Sequence, residues 1–164
     1  MNTRTIITIA ALGLCAGAAV FPARSLAVTS AEKAYLDSYR GRNHDVPIPT
    51  FVETPAVGYD IIHAIAPADV ILEFVVDKEG YVEHLRVVDD GGCDFDVTIP
   101  VTNAVYGWRF EPAIKNGKPV ATKVRLEIDF TEEEENAAGP ASPANAQKGV
   151  AKVAFKPLVV VASK

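Results

Sequence analysis

The chain has 164 residues, with 16 Lys+Arg against 21 Asp+Glu for a net charge of −5. That length suits one modest domain, since domains commonly run to about 100–200 residues. With 49% hydrophobic and 23% charged residues it is not a disordered acidic protein, and 11 Gly and 11 Pro are too few for collagen or a long Pro-rich arm. The negative balance argues against nucleic acid as a partner, because a phosphate backbone calls for a basic face.

The amino terminus has the layout of a secretory signal peptide. Arg4 opens a short basic region, Ile6 to Val20 is a 15-residue apolar run, and Pro22 breaks it. Ser25-Leu26-Ala27 then places small residues at −3 and −1 of a cut after Ala27. The alternative is an uncleaved anchor, since Thr5 to Ala23 is uncharged for 19 residues, close to the ~20 that a bilayer span requires. Leu14 ahead of Cys15 does not suit a lipoprotein signal. Cleavage removes two Arg and no acid, taking the net charge to −7. Cys93 is then the single thiol of the mature chain, either buried or paired with another chain.

Thr29-Ser30-Ala31-Glu32 fits a capping box, and Ala34, Tyr35, Leu36 and Tyr39 form an apolar stripe that ends near Gly41. This predicts a helix of about ten residues, too short to persist unless it docks. Pro47, Pro49 and Pro55 exclude a central strand over 43–55, leaving a connector with an edge segment near Ile48 to Glu53. Residues 57–66 are apolar and suit a helical turn.

Val70, Leu72, Phe74 and Val76 alternate with Ile71, Glu73 and Val75, which predicts a strand. Asp77-Lys78-Glu79-Gly80 is a turn, and Tyr81 to Val88 returns as a second strand. Val97, Val101, Ala104, Val105 and Trp108 share one helical face. Pro100 is tolerated in a first turn, which places the N-cap at Thr98 or a near neighbour. After the Asn116-Gly117 turn, Thr122, Val124, Leu126, Ile128 and Phe130 point inward while Lys123, Arg125, Glu127 and Asp129 point out. A right-handed crossover makes the second and third strands parallel, with the first between them. The strand 122–130 therefore lies on an edge, with bare peptide groups guarded by Lys123 and Arg125.

Glu132 to Glu135 is an acid run expected to be solvated, and 137–147 is Ala/Pro/Asn-rich linker. Val150 to Val161 is basic, apolar and β-prone. The expected class is α+β: a three-stranded mixed β-β-α-β sheet under one helix, with a short N-terminal helix and a flexible C-terminal tail. The expected divisions are a signal or anchor over 1–27, helix and connector over 28–69, a domain over 70–131 and a tail over 132–164.

Val70 to Phe130 resembles the C-terminal domain of TonB-type energy transducers. The resemblance rests on Phe74-Val75-Val76-Asp77, Gly80 with Val82, Arg86-Val87-Val88, Phe95-Asp96 and Ala104-Val105. It continues through Trp108-Arg109-Phe110-Glu111-Pro112-Ala113 and Asn116-Gly117-Lys118-Pro119-Val120, the most specific of these motifs. It implies a domain without an active site that grips the TonB box of an outer-membrane receptor by β-augmentation, lending its last strand as an edge. Carried over, the gripping edge is Thr122, Lys123, Val124, Arg125, Leu126, Glu127, Ile128, Asp129 and Phe130. Gly80, Trp108, Arg109, Phe110, Pro112 and Gly117 become scaffold.

Several features depart from a full transducer. Ile6 to Val20 holds no His, and residues 28–69 number only 42 and are not a Pro-rich spacer. Tyr59-Asp60 stands where the family usually has Tyr-Pro. His44, His63, His84, Asp45 and Cys93 lack metal-ligand spacing, and Asp89, Asp90, Asp94 and Asp96 lack that of a calcium loop. No catalytic or cofactor-binding constellation is present, so the expected class is a non-enzyme without a cofactor.

Three functional readings follow. One is an exported periplasmic module that binds a peptide or partner strand in the cell envelope. Another is an inner-membrane-anchored transducer facing the periplasm, and the third is a self-assembling structural protein, such as a homodimer. Leu158 to Ala162, loosely similar to a TonB box, has the composition to lie on the 122–130 edge, in cis as a mask or in trans as a dimer contact. The alternative is a disordered tail.

Overall fold

The structure is a computed structural model and describes residues 29–133 and 150–162. The N-terminal apolar run with Cys15, the expected cut after Ala27 and the stretch 137–147 lie outside the described residues.

Thr29 and Glu32 close the capping box: the Glu32 N–H donates to Thr29 Oγ1 at 3.2 Å, and the Thr29 N–H to Glu32 Oε2 at 2.7 Å. Helix α1 (Ser30–Asp37) follows. It stops short of the expected ten residues at Ser38, whose hydroxyl donates to the Tyr35 carbonyl at 2.6 Å. The second Glu32 oxygen accepts the Thr54 N–H at 2.7 Å, tying α1 to the connector. Within that connector lie the short strand β1 (Ile48–Phe51) and helix α2 (Tyr59–Ile65).

The family-like segment supplies β2 (Ala68–Val76), β3 (Val82–Asp89), α3 (Phe95–Gly107), β4 (Arg109–Glu111), β5 (Ala113–Lys115), β6 (Lys118–Val120) and β7 (Thr122–Glu133). The tail adds β8 (Val150–Phe155) and β9 (Val159–Val160). The main sheet has the order β3-β2-β7-β8, with β9 also beside β7. Since β2 is antiparallel to both β3 and β7, those two are parallel with β2 between them. Small two-stranded pairs, β1–β4 and β5–β6, flank this sheet. The β5–β6 hairpin turns on Asn116 (φ 52°) and Gly117 (φ 73°), the paired positive φ values of a type I′ turn.

Three expectations need correction. The sheet has five strands rather than three, because the tail pairs with β7 and is not a free extension. Helix α3 is capped at Asp94, not near Thr98, so Pro100 sits well inside it. The Asp96 carbonyl loses its helical donor there, but Asp94, Phe95 and Asp96 are all exposed and water can serve that group. Finally, β7 runs on through Glu132 and Glu133, past the expected end of the domain at Thr131.

Alternation along the strands builds the core. Val70, Leu72, Phe74 and Val76 of β2 and Val124, Leu126, Ile128 and Phe130 of β7 are all fully buried. Tyr35, then Ile62, then Val97, Val101 and Val105 bring the three helices into the same apolar cluster, which Tyr39 joins from the turn after α1. Trp108, just past α3, is fully buried against Tyr35 and Phe110, its indole N–H donating to the Glu53 carbonyl at 3.0 Å. Behind it, Gly80 (φ +89°) passes so close to Phe110 that a Cβ would lie 1.9 Å from the Phe110 carbonyl oxygen. That explains the glycine: its carbonyl accepts the Phe110 N–H at 3.0 Å. Arg109 lays its guanidinium over the Tyr81 ring at 4.7 Å, and Pro112 separates β4 from β5.

Replacing Trp108 by Ala should cost about 3–5 kcal/mol, the usual range for deleting a buried aromatic side chain. Urea denaturation of the variant against the parent reads this directly. A midpoint equal to the parent's would contradict the packing described.

Candidate strand-binding site

On one side, β7 is paired along nine positions from Thr122 to Phe130 with β2, ending with Val76↔Thr122 and Ala68↔Phe130. On the other side the expected open edge is occupied. Strand β8 pairs from Ile128↔Phe155 to Glu133↔Val150. Strand β9 contributes Val124↔Val160 and Arg125↔Val159. The Lys156 N–H donates to the Glu127 carbonyl at 3.0 Å, and the Val161 N–H to the Lys123 carbonyl at 2.9 Å. Thr122 to Phe130 therefore stands inside the sheet, and its outer neighbour is the chain's own tail, which includes the expected Leu158 to Ala162 segment.

Side chains fasten the tail on both faces. Phe155 meets Trp108 edge-on at 5.1 Å between ring centroids, and Tyr35 at 5.4 Å. Leu158 is buried, and its N–H donates to the Tyr39 hydroxyl at 2.6 Å. On the opposite face the Lys156 ammonium binds Glu127 and reaches Asp129 at 3.3 Å. These contacts hold its pKa above the ordinary value, the Glu127 hydrogen bond being the first cause. At the far end of β7, Glu132 accepts from the Tyr59 hydroxyl at 2.9 Å and lies 2.8 Å from His63 Nδ1. Tyr59 thus anchors α2 to β7, a role that its position ahead of the first family strand does not announce.

One cluster escapes the sequence reading. Glu73, mid-strand in β2, is only 3% exposed although it faces away from the apolar core. Arg86 of β3 binds it, Lys123 of β7 binds it at 2.6 Å, and Arg125 approaches to 3.6 Å. These long side chains close over the carboxylate and supply its partners. Its pKa falls to about 2 from an ordinary 4.5, first through the Lys123 hydrogen bond and then through that of Arg86. The signal available beforehand was one acid among the outward residues Ile71, Glu73 and Val75, flanked by strands with outward bases.

The other titratable candidates are scattered. His44 lies 3.7 Å from Glu111, His63 faces Glu132, and His84 sits with φ 50° at an irregularity in the β2–β3 pairing. Cys93 is buried, where desolvation first and the nearby Asp90, Asp69 and Asp94 next raise its pKa. Among the described residues no three His, Cys, Asp or Glu side chains gather as a metal-binding group. Nor is any helix among them long and apolar enough to cross a membrane.

The comparisons with known proteins agree with the motifs. Residues 67–131 match the family model described as Gram-negative bacterial TonB protein C-terminal, and this segment is a TonB C-terminal-like domain. The family is associated with envelope transport and acts through protein contacts rather than catalysis. Among solved structures, the solution NMR structure of the Pseudomonas aeruginosa TonB C-terminal domain is 24% identical. It covers 54% of this chain and 88% of that one, with a TM-score of 0.43. No curated protein matches the chain.

A carboxyl pKa lowered in the folded state contributes stability that is complete above its unfolded value of about 4.5. That contribution is lost as the pH falls toward about 2. Glu73→Gln should therefore flatten the decline of the urea midpoint between these two pH values. A variant whose acid-side profile overlays the parent's would remove Glu73 from the account.

Proposed function

We propose that this is an exported envelope protein that takes an extended partner strand along β7, its own tail occupying that place when no partner is present. The carrying observation is that the outer side of β7 is paired by β8 and β9, which lie outside the family segment and follow residues 134–149. Any extended chain running antiparallel to β7 offers its backbone the same hydrogen bonds that the tail offers. This is β-augmentation, in which main-chain groups give affinity and alternate side chains give selectivity. The TonB box of an outer-membrane receptor is the partner that the family likeness favours.

The pairing supports release of the tail in stages. Strand β9 contributes only two paired residues, and Val159 and Val160 remain 61% and 43% exposed. Pro157, lacking an N–H, lies between β8 and β9. A partner that first captures Lys123 to Glu127 displaces the weakest part of the tail before the six-pair β8 ladder yields.

Export is checked by sequencing the amino terminus of protein recovered from the native periplasm, where Val28 is the expected first residue. A membrane-bound chain starting at Met1 would replace export by anchoring. The edge is checked by locking the tail with Arg125→Cys and Val159→Cys, a directly opposed pair close enough for a disulfide. A photoreactive side chain at Lys123 should cross-link to outer-membrane proteins in cells when the lock is reduced and lose those adducts when it is oxidised. Equal adducts in both states would refute displacement of the tail.

A further inference from the structure

The tail does more than complete a ladder: its side chains fill sites that the family segment does not build alone. Tyr35 of α1 and Tyr39 of the turn after it lie outside residues 67–131, and with Trp108 they wall an aromatic recess beside β7. All three are buried with the tail in place, Phe155 packing on Tyr35 and Trp108 and Leu158 bonding Tyr39. We infer that this groove selects partner strands of the pattern aromatic–basic–proline–aliphatic, of which Phe155-Lys156-Pro157-Leu158 is the chain's own copy. The inference rests on the strand-exchange reading above and specifies its partner.

Each position has a physical reason. The aromatic enters the recess edge-on to Trp108 and tilted against Tyr35, the geometry that ring quadrupoles favour. Turned to the opposite face, the basic residue meets Glu127 and Asp129, two carboxylates at alternate positions of β7. An acid placed there would face two like charges. Proline fits because the strand leaves the ladder at that point: the next N–H, that of Leu158, goes to the Tyr39 hydroxyl rather than to β7. The aliphatic residue is then 7% exposed beside Tyr39. Net negative charge across the chain adds attraction for a basic segment.

The occupant is a segment of a different protein, and it competes with a tethered copy. Tethering raises the local concentration of the tail, so a free strand binds the intact chain more weakly than a chain whose tail can leave.

The test starts from the full chain. A protease site placed within 134–149 is cut, and a fluorescent synthetic peptide of residues 150–162 is exchanged into the nicked protein, followed by anisotropy. Unlabelled peptides then compete. Those carrying Phe155→Ala, Leu158→Ala or Lys156→Glu should compete at least about tenfold less well than the parent. Val159→Thr, at an exposed position, should stay within about twofold of it. Equal competition by all peptides would overturn the selection pattern while leaving strand exchange standing. Failure of the parent peptide to enter at all would overturn strand exchange itself. In the uncut chain, Phe155→Ala should speed amide exchange across Val124 to Asp129, and unchanged protection would count against the recess. A concentration-dependent dimer of the uncut chain, lost on adding the parent peptide, would make a second copy the occupant and overturn the assignment to a different protein.

Discussion

The backbone of β7 is the constraint on which the molecule turns. Its inward side chains are fully buried, so its peptide groups lie at the margin of an apolar core and require partners on both sides. Strand β2 provides one side from within the family segment. The other side is provided by residues that the family segment lacks. A sheet ending at β7 would leave polar groups beside the aromatic recess, and the tail meets this need with main-chain bonds and with Phe155 and Leu158 together.

The two ends of the chain divide the labour with the middle. Residues 67–131 furnish the sheet and the Trp108–Phe110 corner, supported by the close pass of Gly80. Helix α1, fixed by its capping box and by Thr54 on Glu32, brings Tyr35 to the sheet, and the turn after it brings Tyr39. Neither α1 nor the tail closes the recess without the other, since Phe155 packs on Tyr35 and Leu158 hydrogen-bonds Tyr39. A domain associated with protein contacts thus carries surfaces of its own around the common edge.

Much of this was legible in the sequence, and the misses have causes. Strict alternation over 122–130 and the Trp108-to-Pro112 motif located β7 and its corner, because burial of one face imposes a period of two, but they placed β7 on an edge rather than between β2 and the tail. The start of α3 was misplaced because a proline prefers the first turn, while exposure around Asp96 let the helix absorb it six residues in. The tail's β-prone composition was visible, but pairing is a long-range matter. Nothing local told Phe155 that its neighbour would be Ile128. Glu73 was hidden for the same reason: its bases come from two other strands, and registry between strands is not written in either one.

That same indifference of the backbone bears on recognition. Main-chain hydrogen bonds along β7 are equally available to any antiparallel segment, so they set a common baseline of affinity and cannot distinguish a partner from the tail. Discrimination must come from what each strand projects to either side. On the core side that means an aromatic against Trp108 and Tyr35 and an aliphatic beneath Tyr39. On the solvent side it means a cation between Glu127 and Asp129. A partner strand that matched these three positions would also have to outbid a tethered competitor. The proposed exchange therefore favours a ligand presented at high local concentration, or one that gains further contacts beyond Val161, whose N–H bonds the Lys123 carbonyl.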